Sequence, residues 1–352
     1  MTAIHSTVDP AGRAHARPAG PRPPSGGDGG RAGTDSAAAA RAARNRRKWL
    51  EIVGFSAPAT IVYAMFVLVP MAFAFYYSLF RWRGVGAPTD FRWFNNYKLA
   101  FEDPVFVDAL TNNAIIVVGS LLIQGPLALG IALLLNRRFF GRSVFRALVF
   151  VPYVLAEVTV GIMWGLILVK GGELDTVLQS AGLGSWIRPW LADQDLVIWT
   201  LLGILTWKYL GFAIILFLAG LSNVPEELSE AAAIDGASWW QIQRHVTIPL
   251  LGPTIRIWMF LSIIGSLQVF DVIWVVSAAS MRSLGASATM ATYMVDNGFF
   301  ARLWGYGNAI AMILFIISFT AGLLFQRFVL RRDIEGALTG RGRRAVKLRG
   351  GK

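Results

Sequence analysis

Three ionisable side chains, Glu157, Lys208 and Asp271, lie inside long apolar runs. Charge at membrane depth is costly, so such groups face a partner or a wet cavity. At about 1.5 Å per residue, Glu157 and Lys208 sit roughly 20 Å, and Asp271 roughly 25 Å, from the inner ends of their runs. Similar depths admit two chemistries: a structural ion pair that fixes how the spans pack, or one or more charges lining a solute path. Gln124, Gln268 and Asn308 are uncharged polar groups at membrane depth, and each alone is most simply an interhelical hydrogen bonder. Sugars are held by planar amides, carboxylates and aromatic faces. Gln268, Asp271, Trp164 and Trp207 therefore join Glu157 and Lys208 as substrate-path candidates. Most of the 13 tryptophans are better explained as interfacial anchors.

Catalytic chemistry is not indicated. His5 and His15 lie in a polar tail and His245 in a loop, and no HExxH or Ser/His/Asp set can be assembled within the apolar runs. No GxxxxGK[ST] stretch exists to cradle phosphates, and the absence of cysteine excludes a thiolate metal site. The chain reads as a non-enzyme with no cofactor or metal of its own.

The elements that position these residues are apolar helices. The chain is 55% hydrophobic, with mean hydropathy +0.52. Residues 49–80, 111–135, 143–169, 196–221, 254–278 and 304–330 are each long enough for a hydrocarbon core of about 30 Å. The fold class is therefore an all-α integral membrane protein with six transmembrane helices. A long polar tail precedes the first run, which argues against a cleavable signal peptide. Pro126 and Pro152 are expected to kink spans two and three. Gly161 and Gly165 are spaced as GxxxG, which lets another helix approach closely.

Net charge is +12, and its placement matters more than its size. Arg41, Arg44, Arg46, Arg47 and Lys48 precede span one; Arg137, Arg138, Arg142 and Arg146 link spans two and three; Arg244 and Arg256 flank the loop before span five; Arg327, Arg331 and Arg332 follow span six. Between spans three and four, Glu173, Asp175, Asp193 and Asp195 outnumber Lys170 and Arg188. The positive-inside rule then puts both termini in the cytoplasm. Basic clusters at span ends, rather than on one soluble face, argue against nucleic-acid binding. Three regions follow: a disordered basic tail (1–48), a six-span domain (49–332) and a basic C-terminal tail (333–352). Short helices are expected in the outer loops near 91–100, 174–181 and 290–297.

Residues 222–253 form an inner loop. From Glu230 it reads EAAAIDGASWWQIQRHVTIPLLGP. The Glu-Ala-Ala-Ala run favours a helix, Asp235-Gly236 a turn, and Ser238 can N-cap a second helix. Pro249 and Pro253 are expected to stop it.

This loop resembles the EAA loop of ABC-importer permeases, with Glu230, Ala231, Ala232, Gly236, Val246, Ile248 and Pro249 at the matching places. Asn96-Tyr97 with Phe101 and Asp103-Pro104, the Leu218-Ala219-Gly220-Leu221 exit of span four, and Phe270-Asp271 with Ala291-Thr292-Tyr293 extend the likeness. It covers roughly residues 50–332 and is nearest the MalF/UgpA-like permeases of carbohydrate importers. The resemblance implies a type I ABC-importer permease fold in a bacterial cell membrane. It also implies that Glu230, Ala231, Ala232, Asp235, Gly236, Ala237 and Pro249 couple to ATPase subunits, which bind the ATP and Mg. The implied partners are a second homologous permease subunit, two ATPase subunits, an extracytoplasmic solute-binding protein, the lipid bilayer and a sugar. Two alternatives stand beside this reading: an ABC permease for a polyamine, phosphate or amino acid, and a channel or membrane scaffold.

Overall fold

The structure, a computed structural model, describes residues 48–137, 140–279 and 285–330. Most of both basic tails, Arg138 and the Arg331-Arg332-Asp333 stretch lie outside these residues. The described residues are almost entirely helical, with one isolated β-bridge between Phe80 and Phe91. Five helices are long and apolar enough to cross a membrane, and a sharply bent pair makes a sixth span if counted as one.

The spans are α1 (Lys48–Ser78), α3 (Pro104–Leu135), the pair α4 (Arg142–Val154) and α5 (Glu157–Leu168), α7 (Val197–Leu221), α10 with α11 (Gly252–Leu267 and Asp271–Ala279), and α13 (Trp304–Phe325). Between them lie α2 (Asn95–Glu102), α6 (Glu173–Ser180), α8 (Glu226–Ile234), α9 (Trp239–Ile242) and α12 (Met290–Val295). Span two starts seven residues before the expected Thr111. Asp103 caps it by accepting from the Val105 N–H at 2.9 Å, and Pro104 occupies the first turn, where its missing N–H costs nothing.

The chain divides into two units, residues 1–68 and 69–352. In the first, the described stretch is helical and largely exposed along its apolar side chains. In the second, α7 is the central post: α3, α4 and α10 pack on it, and α5 packs closely on α11. Three buried clusters result. One joins Val160, Leu201, Ile204, Val272 and Val276; one joins Ala128, Ala213, Phe217 and Trp258; one joins Phe106, Met290, Ile310 and Ile313. The GxxxG expectation holds at Gly161, where a Cβ would stand 2.6 Å from the Val275 side chain on α11.

The prolines depart from expectation in a regular way. Pro152 does more than kink span three, which breaks at Leu155–Ala156 and turns by 93°. Pro126 and Pro249 each follow a π turn, Ser120–Gln124 and Gln243–Thr247. An i→i+5 turn shifts the carbonyl that a proline ring would strike, so the chain stays helical. The helix that runs on from α9 ends at Leu250, one residue past Pro249, and Pro253 stands in the first turn of α10, so the expected stop falls at this pair of prolines.

Candidate functional site

Where span three breaks, the last carbonyls of α4 lose their helical partners. Lys208 on α7, only 2% exposed, supplies new ones. Its Nζ donates to the carbonyls of Pro152 at 3.2 Å, Tyr153 at 3.0 Å and Leu155. An ammonium has three donors, and all three are used on backbone. The next residue, Tyr209, donates from its hydroxyl to Glu157 Oε1 at 2.7 Å. Glu157 opens α5, where a helix N-terminus favours a carboxylate. Consecutive residues of α7 thus hold both sides of one break.

The ion pair expected among Glu157, Lys208 and Asp271 does not form: among the described residues no salt bridge joins them. Lys208 is turned to carbonyls, Glu157 to a phenol, and Asp271 is exposed at the start of α11. Trp164 meets Trp207 edge-on, ring centroids 5.5 Å apart, both partly buried against the first cluster. Gln268 is exposed at the end of α10.

Beside the break lies a cavity of about 310 Å³ between α3, α4, α7 and α10. Its polar and aromatic wall is Ser120 and Gln124 from α3, Tyr153 from α4, Tyr209 and Phe212 from α7, and Trp258, Ser262 and Ser266 from α10. The Ser120 hydroxyl donates to Gln124 Oε1 at 2.8 Å and sits 2.6 Å from the Ser262 hydroxyl. Tyr153 and Phe212 stack with centroids 5.2 Å apart. None of Glu157, Trp164, Lys208, Gln268 or Asp271 lines this cavity. Glu157 and Lys208 instead hold the residues that do. The i, i+4 spacing of Ser262 and Ser266, which puts two hydroxyls on one helix face, was the readable signal that sequence reasoning passed over.

A second break, between α10 and α11, borders the same cavity through Ser266 and Val269. Here a buried amide from α3 serves. Asn113 Nδ2 donates to the carbonyls of Ser266 at 3.0 Å and Leu267 at 3.2 Å, and its Oδ1 accepts from the Met290 N–H at 2.8 Å. Thr289 Oγ1 donates to the Val269 carbonyl at 3.2 Å. Asn112 donates to the carbonyls of Ala286 and Ala288. Neither asparagine stood out in the sequence, because a neutral amide near a span end is unremarkable until its partners are known.

The α8–α9 loop is built differently. The Gly236 N–H donates to Ala233 O and the Ala237 N–H to Ala232 O, both at 3.0 Å. With Gly236 at φ +83°, this is the Schellman closure of a helix end. One residue later Ser238 opens a capping box: its N–H donates to Gln241 Oε1 at 2.7 Å while its hydroxyl accepts from the Gln241 N–H. The corner is therefore hydrogen-bonded on both sides, yet it presents Glu230, Ala231, Asp235 and Gly236 to solvent, with Ala232 and Ala237 half-buried and Pro249 exposed. Ile234 is 86% and Trp240 59% exposed. The Arg137 guanidinium lies 4.2 Å over the Trp239 ring, joining the end of span two to this loop.

Residues 124–334 match the family described as the binding-protein-dependent transport system inner membrane component. The chain belongs to this family. A probable ABC transporter permease of Pyrococcus horikoshii is 31% identical over 271 residues, covering 76% of this chain and 91% of that protein. A probable starch degradation products transport system permease of Thermoanaerobacterium thermosulfurigenes is 26% identical over 281 residues, covering 80% and 94%. The crystal structure of a bacterial ABC transporter that imports the acidic polysaccharide alginate contains a chain of the same fold. It has a TM-score of 0.69 at 21% identity and covers 83% of this chain and 99% of that one. The matched region of this inner membrane component includes most of the cavity wall, both breaks and the α8–α9 loop.

Proposed function

We propose that this inner membrane component is one of two homologous permease subunits of an ATP-driven importer, and that its solute is a sugar or oligosaccharide. The observation that carries the solute class is the cavity wall. One amide, several hydroxyls and aromatic faces, with no formal charge among them, suit a neutral polyol better than a polyamine, phosphate or amino acid zwitterion. The relative named for starch degradation products supports the same class. The doubly capped α8–α9 corner, rigid and exposed, supports docking to ATPase subunits through Glu230, Ala231, Ala232, Asp235, Gly236 and Ala237, with Pro249 on the next helix. ATP and Mg then belong to those subunits, and an extracytoplasmic binding protein delivers the solute. Both termini and the α8–α9 loop face the cytoplasm of a bacterial cell.

The test is uptake by the complex assembled with its ATPase and second permease subunit in lipid vesicles. ATP-dependent uptake of an oligosaccharide, and none of spermidine, phosphate or an amino acid, is expected. Uptake confined to one of the latter overturns the solute class, and failure of any ATPase to co-purify overturns the coupling. Since the chain has no native cysteine, Trp240→Cys also tests orientation. Labelling from outside the cell by an impermeant thiol reagent overturns it.

A further inference from the structure

Lys208 poses a question that the transport reading does not answer. A buried ammonium in a membrane span is costly, and this one neither pairs with a carboxylate among the described residues nor lines the cavity. It sits behind the cavity wall, 5.9 Å from the Tyr153 ring centroid and 6.0 Å from that of Tyr209. Its three donors go to carbonyls 152, 153 and 155. Those are the carbonyls that would accept from residues 156, 157 and 159 if span three ran on as one α-helix. The clasp and the unbroken helix compete for the same acceptors.

We propose that Lys208 is a positioning residue that keeps span three in two pieces. In doing so it sets Tyr153, two residues before the break, into the cavity wall that Ser120 and Gln124 also line. Without the ammonium, carbonyls 153 and 155 are best satisfied by N–H groups further along the chain. Glu157 and Tyr209 add a second tie, but a side chain on α5 can move with the helix, whereas the Lys208 bonds exist only in the broken form. Pro152 lies inside α4, which continues to Val154, so the break falls beyond the proline rather than at the turn its ring disturbs. The effect on uptake rests on the transport reading; the effect on span geometry does not.

The geometry can be read directly. Val144 on α4 and Leu166 on α5 are both exposed, and the cysteine-free chain accepts spin labels at these two sites alone. With a rise of 1.5 Å per residue, a 93° bend puts the two positions about 22 Å apart, and a continuous helix about 33 Å. In the assembled complex the native chain is expected to give the short distance. Lys208→Met should give the long one in a substantial fraction, and Lys208→Arg, which keeps N–H donors, should return mainly the short one. A single short distance in Lys208→Met overturns the proposal, as does an Arg variant indistinguishable from the Met variant. Should Lys208→Met fail to assemble, Lys208→Gln retains two donors and is expected to show both distances; a single short distance there likewise overturns it. Uptake by Lys208→Met should show a half-saturating solute concentration raised roughly tenfold, in line with about 1.4 kcal/mol per factor of ten. Normal uptake alongside a lengthened distance would overturn the link from the break to the cavity.

Discussion

The two broken spans meet one physical problem with opposite chemistry. At 155–156 the orphaned carbonyls are gathered by an ammonium from α7. At 268–270 they are gathered by an amide from α3 and a hydroxyl beside α12. The charged clasp serves a bend of 93°, while the neutral one serves a break mild enough that Gly252–Ala278 still counts as a single span. A sharp bend removes several helical bonds at once and points the freed carbonyls at one spot, where a compact three-donor cation fits. The shallower interruption also leaves three carbonyls to satisfy, but they are shared: a planar amide takes two and the Thr289 hydroxyl the third. The amide also has an acceptor to spare, which Asn113 uses on the Met290 N–H. The second break is thereby tied to the start of α12, whereas the side-chain bonds described at the first come from α7.

This contrast can be broken from either side. The largest effect is expected from Lys208→Met. A carbonyl left unpaired costs about 1–3 kcal/mol, and the three can regain partners only if span three straightens out of its packing, so the complex should lose more thermal stability than with any other single change named here. Tryptophan fluorescence on heating reports this, and an Asn113→Leu variant of equal or lower stability would reverse the ranking. Asn113→Leu should rank second. It should disturb α12 as well as the break, visible as faster hydrogen exchange at 290–295 that Lys208→Met does not cause.

Because Glu157 bonds Tyr209, Tyr209→Phe and Glu157→Gln should be non-additive. A hydrogen bond to a charged group is worth about 1.5–3 kcal/mol, and a double-mutant cycle on thermal unfolding would show it. Asp271→Asn, exposed and unpaired with Lys208 among the described residues, should add to Lys208→Met within about 0.5 kcal/mol. Strong coupling between Lys208 and Asp271 would restore the ion-pair expectation.

At the α8–α9 corner, Gly236→Ala forces a side chain into the left-handed region at a cost of about 1–2 kcal/mol. Open space surrounds that Cβ, so the penalty is backbone strain alone. Solute-stimulated ATPase activity should fall while membrane insertion persists, and Gly236→Asp should lower it further by adding charge at the docking surface. Unchanged stimulation in both variants would remove the corner from the coupling path.

The smallest expected effect is on pH dependence outside the spans. Burial and a hydrogen bond donated to Asp103 hold the Tyr293 phenol well above its ordinary ionisation. For a raised phenol the stabilisation is present below the unfolded value of about 10 and is lost as pH rises beyond it. Tyr293→Phe should therefore flatten the alkaline decline in stability above about pH 10, on top of a loss at neutral pH from the missing hydrogen bond to Asp103.

Several features were fully local and therefore legible in the residues. Spans four and six were placed within a residue of the ends of the apolar helices Val197–Leu221 and Trp304–Val329, the latter being α13 with the π turn that follows it, because apolar run length is set by bilayer thickness and needs no partner. The α8–α9 corner was legible down to Gly236 and Ser238, because a Schellman closure and a capping box are made by neighbours in sequence. Gly161 was legible because a missing Cβ advertises close approach. The tertiary structure alone decided which carbonyls Lys208 would reach, 53 to 56 residues away, and that Asn113 would bridge to residues more than 150 positions on. It also decided that Gln124, Tyr153 and Tyr209, rather than Glu157, Trp164, Gln268 or Asp271, would face the cavity. Hydropathy records that a polar group sits at membrane depth. Its partner is fixed by helix rotation and by breaks in helices, which emerge only when the spans pack against one another.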